Sequence, residues 1–249
     1  MKKSSCLYLI SLISLLISYY FLSLIVNNEV LLPTIRQLGN YFYQIEFNEF
    51  LKNVSHTLLK ALSSYLISMI LAFILAIIAR YKKLYLFINP YISILKTIPT
   101  ISIILIVIVW LGNELAIYLI PFLVIFPLLY ETIFYHIKNV DVKLKAVSEV
   151  YRFNTTQKLK YLYYYPILEG LMLSFKQTFG LCLKIIVMAE VLAQGEFGIG
   201  AKIQNERINI EMSGVFAWTI ILIVIILVID FVLDTVTKRV IKWKCYNEN

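Results

Sequence analysis

Apolar residues run through this chain in long unbroken stretches, and nearly all the charge is gathered between them. The first stretch, Leu7 to Val26, is about twenty residues, the length that crosses a bilayer as a helix. Five more follow, at about Thr57–Ala79, Tyr91–Leu111, Leu115–Ile137, Ile167–Leu192 and Val215–Val236. No A-x-A-like cleavage site follows the first stretch, so it reads as a retained span and not a signal peptide. Pro99 lies inside the third stretch, and Pro121 and Pro127 inside the fourth. Each removes one backbone hydrogen bond and is expected to bend its helix. Gly112-Asn113-Glu114 reads as a minimal turn between the third and fourth stretches.

Two intervening segments carry a pattern of their own. From Asn27 to Ser55, the residues Leu38, Tyr41, Phe42, Ile45 and Phe50 fit an amphipathic piece lying on the bilayer face. They fit a loop packed against the bundle equally well. From Lys138 to Pro166, Val140, Leu144, Val147 and Tyr151 recur at i, i+4, i+7 and i+11, one face of a helix. A break is expected at Phe153-Asn154-Thr155, with Thr155 or Thr156 capping a second short helix that stops before Pro166.

Charge sets the orientation. Of 23 Lys and Arg, fifteen fall in the N-terminus, the Arg80–Lys83 loop, the Lys138–Pro166 segment and the tail; Arg36, Lys52, Lys202 and Arg207 fall in the other three loops. Positive residues concentrate on the cytoplasmic side of a membrane protein. The expectation is an all-α integral membrane chain with six transmembrane helices and both termini inside, and two short helices in the cytoplasmic loop between spans 4 and 5. It divides into a first span with its external amphipathic segment (1–56), a transmembrane domain (57–240) and a cytoplasmic tail (241–249).

Composition agrees: 60% of residues are hydrophobic and 15% charged, against about half and a quarter in soluble domains. The net charge of +8 sits in short loops, so it is a topology signal and not the basic face that nucleic acid would need. Cys6, Cys182 and Cys245 are scattered, His56 and His136 are isolated, and no GxxxxGK[ST] occurs. No metal, cofactor or nucleotide site of the chain's own is expected. Gly195–Gly200 (GEFGIG) follows a span and lacks a βαβ context, so it reads as a loop.

Three blocks carry a resemblance to a known family. They are Lys96-Thr-Ile-Pro99-Thr100 with Trp110-Leu-Gly112, the loop ending in Tyr165-Pro166, and Ala189-Glu190-Val with Gly198-Ile-Gly200 and Phe216-Ala217. In this order and spacing, over roughly Ser55 to Val240, they resemble the membrane subunit of ATP-binding-cassette importers. The sulfonate, nitrate and taurine branch, which includes permeases for thiamine-precursor pyrimidines, is the nearest in pattern. The chain departs from it where Phe153 replaces the loop glycine, Val147-Ser148-Glu149 replaces Glu-Ala-Ala, and Leu105 replaces a proline. Phe153 is too bulky for a positive φ, so Asn154 is expected to carry the turn.

The resemblance implies an ATPase subunit docked on the cytoplasmic loop, a substrate-binding protein outside, a second copy of the chain alongside, and no catalysis by this chain. The implied ATPase contacts are Leu144, Val147, Ser148, Tyr151, Arg152, Phe153 and Asn154; an amphipathic loop resting on anionic lipid is the plainer alternative. Span five holds Glu169, Lys176, Gln177, Lys184 and Glu190, more polar groups than a lipid-facing helix tolerates. Gln177 and Lys184 share a face near Gly180, and with Glu190 they are the expected translocation path. Lys184 would meet an anionic solute, unless it serves a buried ion pair. Lys176 is expected to pair with Asp230, Asp234 with Lys238, and Glu190 to pair or cap near the outer end. Trp110, Trp218 and the tyrosines at span ends read as interfacial anchors. Two other readings stay open: a proton-coupled carrier using Glu131, Asp230 and Glu190, and a membrane-embedded enzyme or assembly factor. The second would need a catalytic cluster that no spacing here provides.

Overall fold

The computed structural model describes residues 14, 17–26, 28, 30–140, 142–154 and 157–241. The described residues fold as helices: α1 (Ile17–Val26), α2 (Ile35–Gln44), α3 (Phe47–Ile78), α4 (Lys82–Thr97), α5 (Thr100–Lys138), α6 (Val142–Val150), a π-helical turn (Lys158–Tyr163), α7 (Tyr164–Leu192), α8 (Ile199–Ile208) and α9 (Met212–Ile241). Four of them are long and apolar enough to cross a membrane: Phe47–Ile78, Thr100–Lys138, Pro166–Leu192 and Met212–Thr237. The start of the first apolar stretch, Cys6, Thr155, Thr156 and the tail beyond 241 lie outside the described residues.

α3, α5 and α7 form the centre of the bundle. Their close approach follows from small side chains. Ala61, Ser64, Ser68, Ala72 and Ala76 are all buried on one face of α3, and small residues let helix backbones meet in lipid, where burial alone gives no drive. Polar groups on that face find partners across it. Ser64 Oγ donates to the Tyr118 carbonyl at 3.0 Å, and the buried Tyr65 hydroxyl meets Thr178 Oγ1 at 3.0 Å. The Tyr65 ring stands edge-on to Phe175 and Phe179. Outward faces stay apolar, as on α9 with Ile223, Leu227 and Phe231, which suits a lipid surrounding.

The third apolar stretch is not one bent helix. Ile98 and Pro99 are both extended, with ψ near 127° and 131°, and Pro99 caps the helix that begins at Thr100. Proline crowds the residue before it out of the helical region, so the chain breaks fully where a kink was expected. α4 is bound to α5 by the Lys96–Glu131 ion pair at 2.5 Å. Within α5 the backbone leaves helical geometry at Gly112 (φ 76°, ψ 174°), the expected turn, while Pro121 and Pro127 sit inside the helix.

The segment before α3 packs on the bundle. A capping box joins Thr34 and Gln37 at the start of α2. Leu38 is buried, and Tyr41, Ile45 and Phe50 pack around Trp218, Val54 and Ile199. Trp218 is 1% exposed and stacked on Phe50, so the interfacial-anchor reading is corrected for this tryptophan. It fills the junction of α2, α3 and α9. Trp110, by contrast, is exposed.

Candidate functional site

Two ends of α7 carry the polar groups that the sequence singled out. At the end that the sequence expectation places outside, called the outer end below, Glu190 is completely buried. Lys60 Nζ on α3 donates to its Oε1 at 2.8 Å and also to the Phe197 carbonyl at 2.5 Å. Thr57 Oγ1 lies 3.0 Å from Oε2, and the Gly200 amide donates to Oε2 at 2.9 Å. The Ile199 amide donates to Thr57 Oγ1, and the Gly198 amide to Asn53 Oδ1. A carboxylate and an ammonium are therefore held together largely out of solvent with nearly every polar atom partnered, which is the condition for such a pair to be tolerated.

The glycine run explains how a loop wraps so tightly. Gly198 has φ 141°, and a Cβ there would stand 2.2 Å from Glu190 Oε1. Only glycine gives both the backbone angle and the space. α7 ends with Gln194 in the left-handed region and the Gly195 amide donating to the Glu190 carbonyl. In the sequence, Lys60 is a lone lysine in the Thr57–Ala79 stretch, with nothing along the chain to tie it to Glu190. Their pairing, with Thr57 and Asn53 as further partners, was missed; the one clue was a lysine and a glutamate each set in an apolar stretch.

Midway along α7, Gln177, Leu181, Lys184 and Met188 form one exposed stripe. Lys184 makes no ion pair among the described residues. Gly180 lies to one side of that stripe, packed against Ile226 and Asp230 of α9. Of the four expected path residues, the structure sets Gln177 and Lys184 on the exposed face, Gly180 in a helix contact and Glu190 inside. Gln177 also lines a cavity of about 580 Å3 with Asn89, Tyr130, Glu131, His136 and Lys138. Lys176 pairs with Asp234, not with the expected Asp230, and so ties α7 to α9. Asp234 lies one turn further along α9, where it meets Lys176 directly. The side chain of Lys238, its expected partner, lies outside the described residues.

At the inner end, α6 closes with a Schellman arrangement. The Phe153 amide donates to the Ser148 carbonyl and the Arg152 amide to the Glu149 carbonyl. Arg152 takes φ 48° in the left-handed region, so it carries the turn expected of Asn154. Asn154 caps the next helix instead: Asn154 Oδ1 accepts from the Gln157 amide while Gln157 Oε1 accepts from the Asn154 amide. That helix does not stop before Pro166. It passes through a π-helical turn directly into α7. Pro166 lacks an amide proton and crowds the carbonyl one turn back, and a wider turn just ahead of it relieves both.

The expected loop contacts divide by exposure. Ser148 is buried, while Leu144, Val147, Tyr151, Arg152 and Asn154 are exposed and Phe153 is half-buried. Tyr151, Phe153 and Tyr161 form a chain of ring contacts, 6.4 and 6.1 Å between centroids. Among the described residues, no group of three His, Cys, Asp or Glu converges on a metal-sized site.

Residues 64–242 match the family described as the binding-protein-dependent transport system inner membrane component. The chain belongs to that family. As a member of the transport-system inner membrane components it is a multi-pass protein of the cytoplasmic membrane. It is 27% identical, over 165 residues and 66% of its length, to a Bacillus subtilis (strain 168) protein named as an aliphatic sulfonates transport permease, SsuC. The match spans 59% of that relative's length. A solved structure of an amino acid ABC transporter with histidines shares the fold at a TM-score of 0.69 and 15% identity, covering 83% of this chain and 99% of that one.

Proposed function

We propose that this chain is the membrane subunit of an ATP-driven importer of small anions. It crosses the membrane six times with both termini inside, and two copies enclose one path. A separate ATPase, docked on the α6 loop, hydrolyses ATP; a substrate-binding protein outside delivers the solute. Alternating access follows when closure of the ATPases shifts the loop and, through the π-helical turn, α7.

The observation that carries this reading is Lys184, an exposed ammonium within a span that forms no ion pair among the described residues. Such a charge against lipid is costly, so its face belongs against a polar path or a second copy. Gln177 extends that face toward the polar cavity. A cation on the path selects for an anion, and the relative named for aliphatic sulfonates fits that class. On the loop, Tyr151 and Phe153 offer the aromatic knob that anchors an interface.

Uptake of an alkanesulfonate into proteoliposomes holding the whole complex tests this. Lys184→Met should lower ATP-dependent uptake by about ten- to a hundredfold, the loss of one hydrogen bond to a charged group, while assembly with the ATPase persists. Lys184→Arg should restore much of it. Normal uptake by Lys184→Met discards the path, and uptake that survives without ATP but dies with the proton gradient discards the ATP-driven reading.

A further inference from the structure

Where α3 ends, α4 begins and α5 ends, the structure leaves a cavity of about 340 Å3. Its walls are apolar and aromatic: Tyr85, Leu86 and Phe134. Its cations are Arg80, Lys82 and Lys138, and no carboxylate lines it. None of these three forms an ion pair among the described residues. From the cavity the surface continues along α4 over Leu84, Leu86 and Phe87, all exposed. A cluster of cations beside an apolar groove, at the level where spanning helices end, matches one kind of molecule at both of its ends.

We infer that this cavity is a binding site for an anionic phospholipid, with its phosphate among Arg80, Lys82 and Lys138 and its chains along the exposed face of α4. The site touches both stems of the α6 loop. The Arg80 guanidinium lies 5.2 Å over the Tyr163 ring, at the end of the π-helical turn. Lys138 lies 5.6 Å over Tyr85, and its carbonyl accepts from Lys145 Nζ of α6. A bound phosphate would draw these cations together, and with them the two chain segments that enter and leave the loop. The lipid therefore braces the loop against the bundle.

The test uses the full chain in nanodiscs of phosphatidylcholine doped with phosphatidylglycerol, with the lipids retained counted by native mass spectrometry. Replacing both Arg80→Gln and Lys138→Gln should weaken phosphatidylglycerol retention about 25-fold, about fivefold for each cation near an anionic headgroup. Replacing Lys83→Gln and Lys143→Gln changes the net charge equally but leaves the cavity lining intact, and should change retention little. Leu86→Trp fills the groove without touching charge and should also expel the lipid. Equal loss in the Lys83/Lys143 pair would mean general attraction to a charged surface and overturn the site. Unchanged retention in the Arg80/Lys138 pair would overturn it too. If inorganic phosphate protects the cavity while Leu86→Trp has no effect, the site takes a free anion and not a lipid.

Discussion

The two ends of α7 are built on opposite principles. At the outer end, Glu190, Lys60, Thr57 and the glycine loop satisfy one another inside the chain, and Glu190 has no exposure at all. At the inner end, Leu144, Val147 and Tyr151 stand exposed, and Tyr151 is 72% exposed. A region whose partners are all internal is finished as it stands. One that presents apolar and aromatic side chains to water is finished only by something else. The difference separates the part of the molecule that holds the bundle from the part proposed above to receive another protein.

The sharpest way to break that contrast is at Glu190. Glu190→Ala leaves Lys60 buried without its partner, and should destabilise the chain by about 3–5 kcal/mol. Gly198→Ala should act at the same place by steric conflict, since its Cβ would meet the carboxylate. Thermal unfolding in detergent reads both, and an unfolding temperature that does not move would show that the outer knot is not structural.

The inner end should answer in the other way. Tyr151→Asp with Phe153→Asp should leave the unfolding temperature close to that of the wild type. It should weaken ATPase association by about thirtyfold or more, the loss expected of an anchor worth about 2 kcal/mol. Co-purification of the ATPase measures this, and undiminished recovery together with undiminished transport would remove the loop from the docking surface.

The smallest effects concern the helix caps of the two ends. Ile210, which follows α8 on the outer side, takes φ 61°, and Arg152 takes φ 48° on the inner side. Glycine at either place should stabilise by about 0.5–1 kcal/mol, more for Ile210 because a β-branched side chain resists the left-handed region most. Chemical unfolding of the two variants side by side orders them, and destabilisation by both would mean that the side chains contribute more than the strain costs.

Much of the outline was legible in the sequence. Hydrophobic run length marked the long helices, because it is a property of the chain against its solvent. What failed to show was who meets whom. Lys60 and Glu190 are 130 residues apart, and no periodicity along one helix reports a partner on another. Lys176 was matched with Asp230 by depth alone, and one helical turn was enough to make Asp234 the partner. Trp218 looked like an interface residue because its position along the span was visible and its neighbours were not. The cap at Asn154 was missed in favour of the threonines after it, although asparagine is among the strongest capping residues.

The unbroken passage from Tyr164 to Leu192 makes α7 a stiff beam clamped at Glu190. A beam fixed near one tip and loaded at the other swings, so displacement grows with distance from the clamp. At about 1.5 Å of rise per residue, Tyr164 lies about 39 Å from the clamp, Gln177 about 20 Å and Lys184 about 9 Å. One stroke applied at the Tyr164 tip would therefore sweep the glutamine about twice as far as the lysine: widest beside the α6 loop, nearly still beside Glu190.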